Sequence, residues 1–409
     1  MLRLFHRPLP AALLIGALAQ ALFSWRVTDP ANLYFDEVHY VPAARTLWAL
    51  TGPANMEHPL LGKLLIGLGM RIAGDGPLGW RILSTVAGSA TVVGVFAILW
   101  LGLGRLRPAV LGSLFAVLGF TVFVQARIAM LDGFMAAFVV WAAAMLLWAM
   151  RRRRAWGRWI AGAVLLGLAT ATKWTAAPYV AFAGIGFLLL AWHHPARWPG
   201  LNRPAAVLVL GVVSVATYFA TFAPAFFYAR EPLTLATLVP FQWDILALQR
   251  QVLPAHTYQS DWWSWPLMIR PIWYLYEPVA GTMRGVLLVG NPAILWGGLV
   301  AVAACAWAGI ARRETTPAVA AATWLAGYGV WAAIPKSLGF FYYYYLPSIW
   351  LCIALAVALD RWRTRTRGWD EAYLAATTVL FVHFYPIISA GALPGPQAFQ
   401  RWMWFSTWP

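Results

Sequence analysis

Two adjacent carboxylates, Asp36 and Glu37, stand in the run Phe35-Asp36-Glu37-Val38-His39-Tyr40, not far beyond a first apolar stretch. Neighbouring acids do not share one helix face, so their roles should differ. A carboxylate held among apolar and aromatic groups has a raised pKa and suits a general base acting on a hydroxyl or an amine. The plain alternative is a cap and dipole complement for a helix starting near Val38. Further along, Asn55-Met56-Glu57-His58-Pro59 brings another acid and a histidine into the same segment. Asp36, His39, Glu57 and His58 have ligand chemistry without ligand-set spacing, so a divalent metal on Glu57 with Asp36 stays open. His58 reads equally as an interfacial side chain or a substrate contact.

Five basic residues, Arg81, Arg127, Lys173, Arg270 and Lys336, each stand at one end of an apolar stretch. Singly, such a residue snorkels to the interface. Gathered, they would suit the phosphate of a lipid-linked substrate, because guanidinium and ammonium groups match phosphate oxygens. Two aromatic runs, Asp261-Trp262-Trp263-Ser264-Trp265-Pro266 and Phe340-Phe341-Tyr342-Tyr343-Tyr344-Tyr345-Leu346-Pro347, read either as headgroup-level belts or as contacts to carrier and sugar, with Trp263, Tyr344 and Tyr345 as candidates.

The elements that must position these groups are membrane helices. The 409 residues are 61% hydrophobic and 11% charged, against roughly 25% charged in an ordinary soluble domain. The net charge of +16 does not point to nucleic acid, since the basic residues sit in short runs between apolar stretches rather than on one soluble face. Cys305 and Cys352 lie inside apolar segments without partners and read as packed free thiols. The segment Leu9 to Phe23 looks like a signal-peptide core but lacks a small-residue cleavage site, so it counts as the first span.

Apolar windows near the ~20 residues that cross a bilayer fall at 9–24, 79–103, 108–125, 130–150, 158–173, 175–192, 204–223, 284–310, 317–334, 342–359 and 371–390. The expected fold is an all-α integral membrane protein of about 11 transmembrane helices, read as one domain over 1–409. More than half of the 30 Lys and Arg residues occupy one alternating set of short connections: Arg3 and Arg7, Arg105 and Arg107, Arg151 to Arg154 with Arg158, Arg197 and Arg203, Arg312 and Arg313, and Arg361 to Arg367. That side is expected to be cytoplasmic, with the N-terminus. The opposite side holds most of the acids and two long loops, 26–78 and 224–283, rich in Trp, Tyr and Leu rather than disordered. Within the first loop, Val38 to Leu50 and Leu60 to Ile72 have the periodicity of interfacial helices.

Taken in order, Phe35-Asp36-Glu37-Val38-His39, His58-Pro59-Leu60-Leu61-Gly62-Lys63, Gly79-Trp80-Arg81, Arg127-Ile128-Ala129-Met130-Leu131-Asp132, Thr172-Lys173-Trp174, Trp262 to Tyr274, Gly290-Asn291-Pro292 and Phe341 to Pro347 resemble the protein O-mannosyltransferase family. That resemblance covers most of the chain. It implies a GT-C glycosyltransferase that takes mannose from a polyprenyl-phosphate donor by inverting, metal-independent displacement. The acceptor it implies is a Ser or Thr hydroxyl of a protein on the non-cytoplasmic side of a bacterial plasma membrane. It also implies that Asp36 is the acid essential for transfer, with Glu37 beside it, and that Arg81, Lys173 and Arg270 surround the carrier phosphate. The family's His-Pro-Pro is His58-Pro59-Leu60 here, and no inserted soluble domain fits between Pro224 and Met283, which points to a bacterial type. The stretch Met56-Glu57-His58-Pro59 is also similar to the related aminoarabinose transferases that modify lipid A. There the acid is linked to a divalent ion, and His58 stands where a lysine is found. A glycosyltransferase acting on lipid A or polysaccharide is thus the alternative enzyme, and a lipid-carrier transporter the alternative of another class.

Overall fold

The computed structural model describes residues 7–150, 154–334, 336–365 and 367–409. Arg3 and Arg151 to Arg153, on which part of the orientation reading rests, lie outside the described residues. From the N-terminus come α1 (Pro8–Ser24), α2 (Glu37–Trp48), α3 (Leu61–Ala73), the long α4 (Pro77–Leu103), α5 (Leu106–Leu118) and α6 (Phe120–Gln125). Next are α7 (Leu131–Trp148), α8 (Ala155–Thr172), α9 (Ala177–His193), α10 (Arg203–Ala220) and the short α11 (Leu235–Leu238) and α12 (Pro240–Gln249). Strands β1 (Ile272–Val279) and β2 (Thr282–Leu288) precede α13 (Pro292–Arg312), α14 (Thr315–Gly329), α15 (Tyr345–Trp362) and α16 (Trp369–Ile388), and β3 (Ala392–Leu393) follows.

Every apolar window carries a helix. Among the described residues seven segments are long and apolar enough to cross a membrane: Pro77–Leu103, Leu131–Trp148, Trp174–His193, Arg203–Phe227, Pro292–Arg312, Phe341–Trp362 and Trp369–Ile388. Two shorter apolar helices, Pro8–Ser24 and Leu106–Leu118, add to them, while α8 and α14 fill their windows without meeting both conditions. Window 108–125 is broken at Gly119, where the backbone turns extended between α5 and α6. Helices α2 and α3 form where the first loop's periodicity places them.

The all-α expectation needs one correction. A three-stranded antiparallel sheet, in the order β1-β2-β3, occupies part of the segment that the apolar window 284–310 assigned to a span. Pairing runs from Ile272↔Leu288 to Val279↔Thr282. The two-residue turn is Ala280-Gly281, with φ of +50° and +74°; a turn whose central residues both have positive φ matches the twist of paired strands.

The described chain divides into two compact units: Asp36–Gly94 with Ile128–Gln251, and Met1–Phe35 with Val95–Arg127 and Val252–Pro409. In the first unit small residues let helices approach closely. A Cβ at Gly62 of α3 would stand 2.6 Å from Leu131 Cδ2 and 3.0 Å from Thr172 Cγ2, and one at Gly67 would stand 2.0 Å from the Trp48 ring. The Trp48 indole N–H donates to Leu64 O at 2.8 Å, locking α2 on α3. Behind them, α8 and α10 are stitched by Trp159 Nε1 donating to Ala206 O and Ser214 Oγ donating to Ala163 O, at 2.8 and 2.9 Å. A cluster including Leu47, Leu60, Ala171, Phe222 and Ile245 closes this core.

In the second unit, α13 packs on α14 and α15, and α15 is buried over most of its length. Asn291 caps α13 by accepting from Ala293 N–H at 3.2 Å, while its amide donates to Leu118 O and Thr377 O at 3.1 Å each. Four acids outside the two long loops pair here with arginines. Arg105 reaches Asp360, Arg107 reaches Asp370 and Glu371, and Arg361 reaches Glu314. The arginine runs assigned to one side of the membrane therefore share ion pairs.

Candidate active site

Asp36 occupies the N-cap position of α2, yet its side chain caps nothing. Its Oδ2 instead accepts from the Tyr40 hydroxyl one turn along the helix, at 3.3 Å. The capping alternative thus fails for the side chain, leaving a carboxylate available for other work. Phe35, just before it, takes φ of +51°, a strained value for a bulky residue that costs on the order of 1–3 kcal/mol and persists only where surroundings enforce it. Its ring is held by stacking on Tyr274 at 3.9 Å between centroids and by the edge of Tyr342 at 6.0 Å.

Glu37 has a different fate, as adjacency on a helix requires. It is fully buried and grips Arg81 of α4 in a fork, with Nε and Nη2 donating to Oε1 and Oε2 at 2.8 Å each. The Ala129 N–H donates to the same Oε1 at 2.9 Å. Glu37 therefore fastens the start of α2 to α4 and to the turn before α7. Arg81, also fully buried, is engaged by Glu37.

The turn that Glu37 holds leads to Asp132 in the first turn of α7. Asp132 grips Lys173, at the end of α8, through both oxygens at 2.9 and 2.8 Å, and both residues are buried. The electrostatics of Asp36 follow from this neighbourhood. Burial raises its pKa above the ordinary carboxylate value; the positive charge of Lys173 opposes the rise, the negative charge of Asp132 adds to it, and His39 and the Tyr40 hydrogen bond lower it. Asp36, Asp132 and Lys173 thus form one electrostatic group. Asp132 escaped the reading of candidate residues, although an acid two residues into an apolar span is by default a functional signal.

Lys63 was missed as well. It is fully buried, and its ammonium donates to Ala54 O at 3.2 Å, His58 O at 2.8 Å and Asn55 O. An ammonium has three protons to give, and three carbonyls take them, so Lys63 shapes the turn that carries Glu57 and His58. Glu57 is exposed and accepts from Asn55 Nδ2 at 2.9 Å; the His58 ring meets the edge of Tyr40 at 6.1 Å. Among the described residues no group of three or more His, Cys, Asp or Glu side chains is placed to hold a metal ion. The candidate pair Glu57 and Asp36 offers two carboxylates, short of such a group.

The other basic candidates lie in the second unit, each with partners there. Arg127 donates to the carbonyls of Phe23, Trp25 and Arg26 at 2.8, 2.6 and 3.2 Å, closing the end of α1. Arg270 donates to Thr257 O, Thr407 O and Pro409 O, at 3.0, 2.5 and 2.6 Å. The Lys336 ammonium stands 5.5 Å from the Tyr343 ring centre. Tyr344 and Tyr345 are not surface phenols: both are buried, and the Tyr344 oxygen accepts from Trp324 Nε1 at 3.0 Å. The chain enters α15 at this point and turns those two rings inward, leaving Tyr342 and Tyr343 half-buried. Trp263 is exposed, whereas Trp265 is buried against Trp331.

Two complementary family models match: dolichyl-phosphate-mannose-protein mannosyltransferase over residues 57–219, and the C-terminal four-transmembrane region of protein O-mannosyltransferase over 234–408. The chain belongs to the protein O-mannosyltransferase family. It is a multi-pass membrane protein, as the family and its apolar helices require. Relatives within the family include the polyprenol-phosphate-mannose--protein mannosyltransferases of Mycobacterium tuberculosis, 28% identical over 97% of this chain and 90% of that protein, and of Corynebacterium glutamicum, 25% identical over 91% and 88%. Among solved structures, a chain of the S. cerevisiae protein O-mannosyltransferase Pmt1-Pmt2 complex bound to the sugar donor shares the fold, with a TM-score of 0.83 and 12% identity over 98% of this chain and 92% of that one. ArnT from Cupriavidus metallidurans bound to undecaprenyl phosphate is more distant, with a TM-score of 0.58 and 19% identity over 90% and 63%.

Proposed function

We propose that this protein transfers mannose from a polyprenyl-phosphate mannose to Ser or Thr hydroxyls of proteins. The observation that carries the reading is the set of relatives bearing that activity in their names, aligned over nearly the whole of this chain and of their own length. The two compact units act as one glycosyltransferase domain in a bacterial plasma membrane. The N-terminus is cytoplasmic, and loops 26–78 and 224–283 lie on the outer side, where a lipid-linked donor replaces nucleotide sugars.

Asp36, not spent on capping, takes the proton of the acceptor hydroxyl as its oxygen attacks the anomeric carbon from the face opposite the phosphate. The bond from that carbon to the phosphate oxygen breaks, and polyprenyl phosphate leaves with the electron pair. Lys173 stabilises the leaving phosphate, as a positive charge placed where negative charge develops. Glu37 and Arg81 fix the direction in which Asp36 points. No step requires a metal.

The test is transfer of labelled mannose from polyprenyl-phosphate mannose by purified protein to Ser/Thr-rich peptides, glycans and lipid A, side by side. Label on peptide is expected. Label on lipid A alone would overturn the protein-acceptor reading, and movement of intact carrier across liposomes without cleavage would replace the enzyme with a transporter.

A further inference from the structure

The Lys173–Asp132 pair raises a question that stability does not answer. Both side chains are buried, and stripping two charges of water costs about what their attraction returns, so apolar side chains of equal volume would hold α7 to α8 at least as well. The pair is also bidentate, at 2.9 and 2.8 Å, which leaves Asp132 gripping the cation that the transfer reaction needs for its phosphate. Two further observations show how such a pair can open. Asp132 stands in the first turn of α7, where the helix dipole and the first-turn backbone N–H groups interact favourably with a negative charge. Lys173 stands at the break between α8 and the short turn Trp174–Ala176, with extended backbone, φ −156° and ψ 130°, so its side chain leaves from a joint rather than from mid-helix.

We propose that Asp132 is a reserve counter-ion for Lys173: it holds the ammonium while no donor is bound, yields it to the donor phosphate, and takes it back to expel the polyprenyl phosphate product. The inference rests on the proposed function, in which Lys173 serves the phosphate. Asp132 is then a positioning residue that competes with the carrier. Its charge sets how tightly the phosphate is held and how fast the spent carrier leaves. Opening the pair also leaves the Asp132 charge uncompensated close to Asp36, which favours proton uptake by Asp36 while the donor is in place.

The experiment compares wild type with Asp132→Asn in the purified full-length protein, reading the donor KM, kcat at saturating donor, single-turnover transfer, and inhibition by added polyprenyl phosphate. With its competitor removed, Lys173 gives the phosphate an extra charge-assisted bond. Donor KM and the product inhibition constant should both fall about tenfold, and kcat should fall more than the single-turnover rate because release becomes limiting. A scaffolding role for Asp132 predicts the reverse: Lys173 loses its place, and KM and the inhibition constant rise. That result, or unchanged constants, would overturn the proposal. Wild type supplies a check independent of mutant folding. Adding polyprenyl phosphate should shift a carboxylate band in difference infrared spectra, and the absence of any carboxylate change would count against an opening pair. Failure of wild type to transfer mannose at all would instead strike the proposed function.

Discussion

Two groups of ion pairs, one in each unit, differ in how far their side chains are buried, although the unit holding Asp36 also carries the solvated pair Arg45–Asp75. In the unit holding Asp36, Arg81–Glu37 is fully buried and Lys173–Asp132 nearly so. In the other unit, Arg361–Glu314 leaves its side chains 35% and 26% exposed, and Arg105 is 57% exposed beside Asp360. Solvated pairs are screened and contribute little, so these exposed arginines need no fine geometry. Buried pairs carry a desolvation cost that only good geometry or function justifies. The first set is where charge is arranged around the Asp36 carboxylate; the second ties connections together.

The contrast is broken most severely at Arg81. Arg81→Met leaves Glu37 charged and buried without its arginine counter-charge, which should cost about 3–5 kcal/mol and abolish transfer, read as a lower unfolding temperature alongside lost activity. Pairing it with Glu37→Gln should restore part of the stability and none of the transfer. If Arg81→Met unfolded like wild type, the buried pair would not be structural. Next in size, Tyr344→Phe strands the Trp324 indole N–H in the core and should cost about 1–3 kcal/mol while leaving donor KM unchanged. A raised KM would make Tyr344 a substrate contact.

A pH profile sharpens the same comparison at smaller amplitude. Asp36 acts as a base only when ionised and its pKa is raised by burial, so transfer should fall as pH drops through a value above the ordinary carboxylate range. His39→Gln removes a positive charge that lowers that pKa and should move the acid limb to higher pH. A limb in the ordinary carboxylate range would mean that Asp36 is solvated. The smallest effect is expected in the other unit: Arg361→Gln should leave both transfer and unfolding temperature close to wild type, with a large loss in either denying the distinction between the two sets.

Much of this was legible in the chain. The eleven apolar windows each carry a helix because length and apolarity are local properties, and Asp36 was singled out because an acid pair just beyond a span is a local signal too. What stayed hidden was pairing. Glu37 meets Arg81 and Asp132 meets Lys173 across more than forty residues each, a separation that periodicity cannot bridge. The sheet was hidden by composition. Trp273 and Tyr274 in β1 suit the headgroup level as well as a strand, the apolar Val286–Leu288 end of β2 merges with the following span, and Ala280-Gly281 is a weaker hairpin mark than Asn-Gly. Nor do four successive tyrosines say which pair the entry into α15 turns inward, here Tyr344 and Tyr345.

The central claim is that Asp36, a cap that does not cap, is the base. It is tested most directly by mannose transfer from polyprenyl-phosphate mannose to a Ser/Thr-rich peptide by purified Asp36→Asn, beside wild type and with unfolding temperature measured on both. The account predicts transfer lost with unfolding temperature preserved, since the Asp36 side chain caps no helix and its bond to Tyr40 is long, at 3.3 Å. Near-normal transfer by a folded Asp36→Asn protein would contradict it.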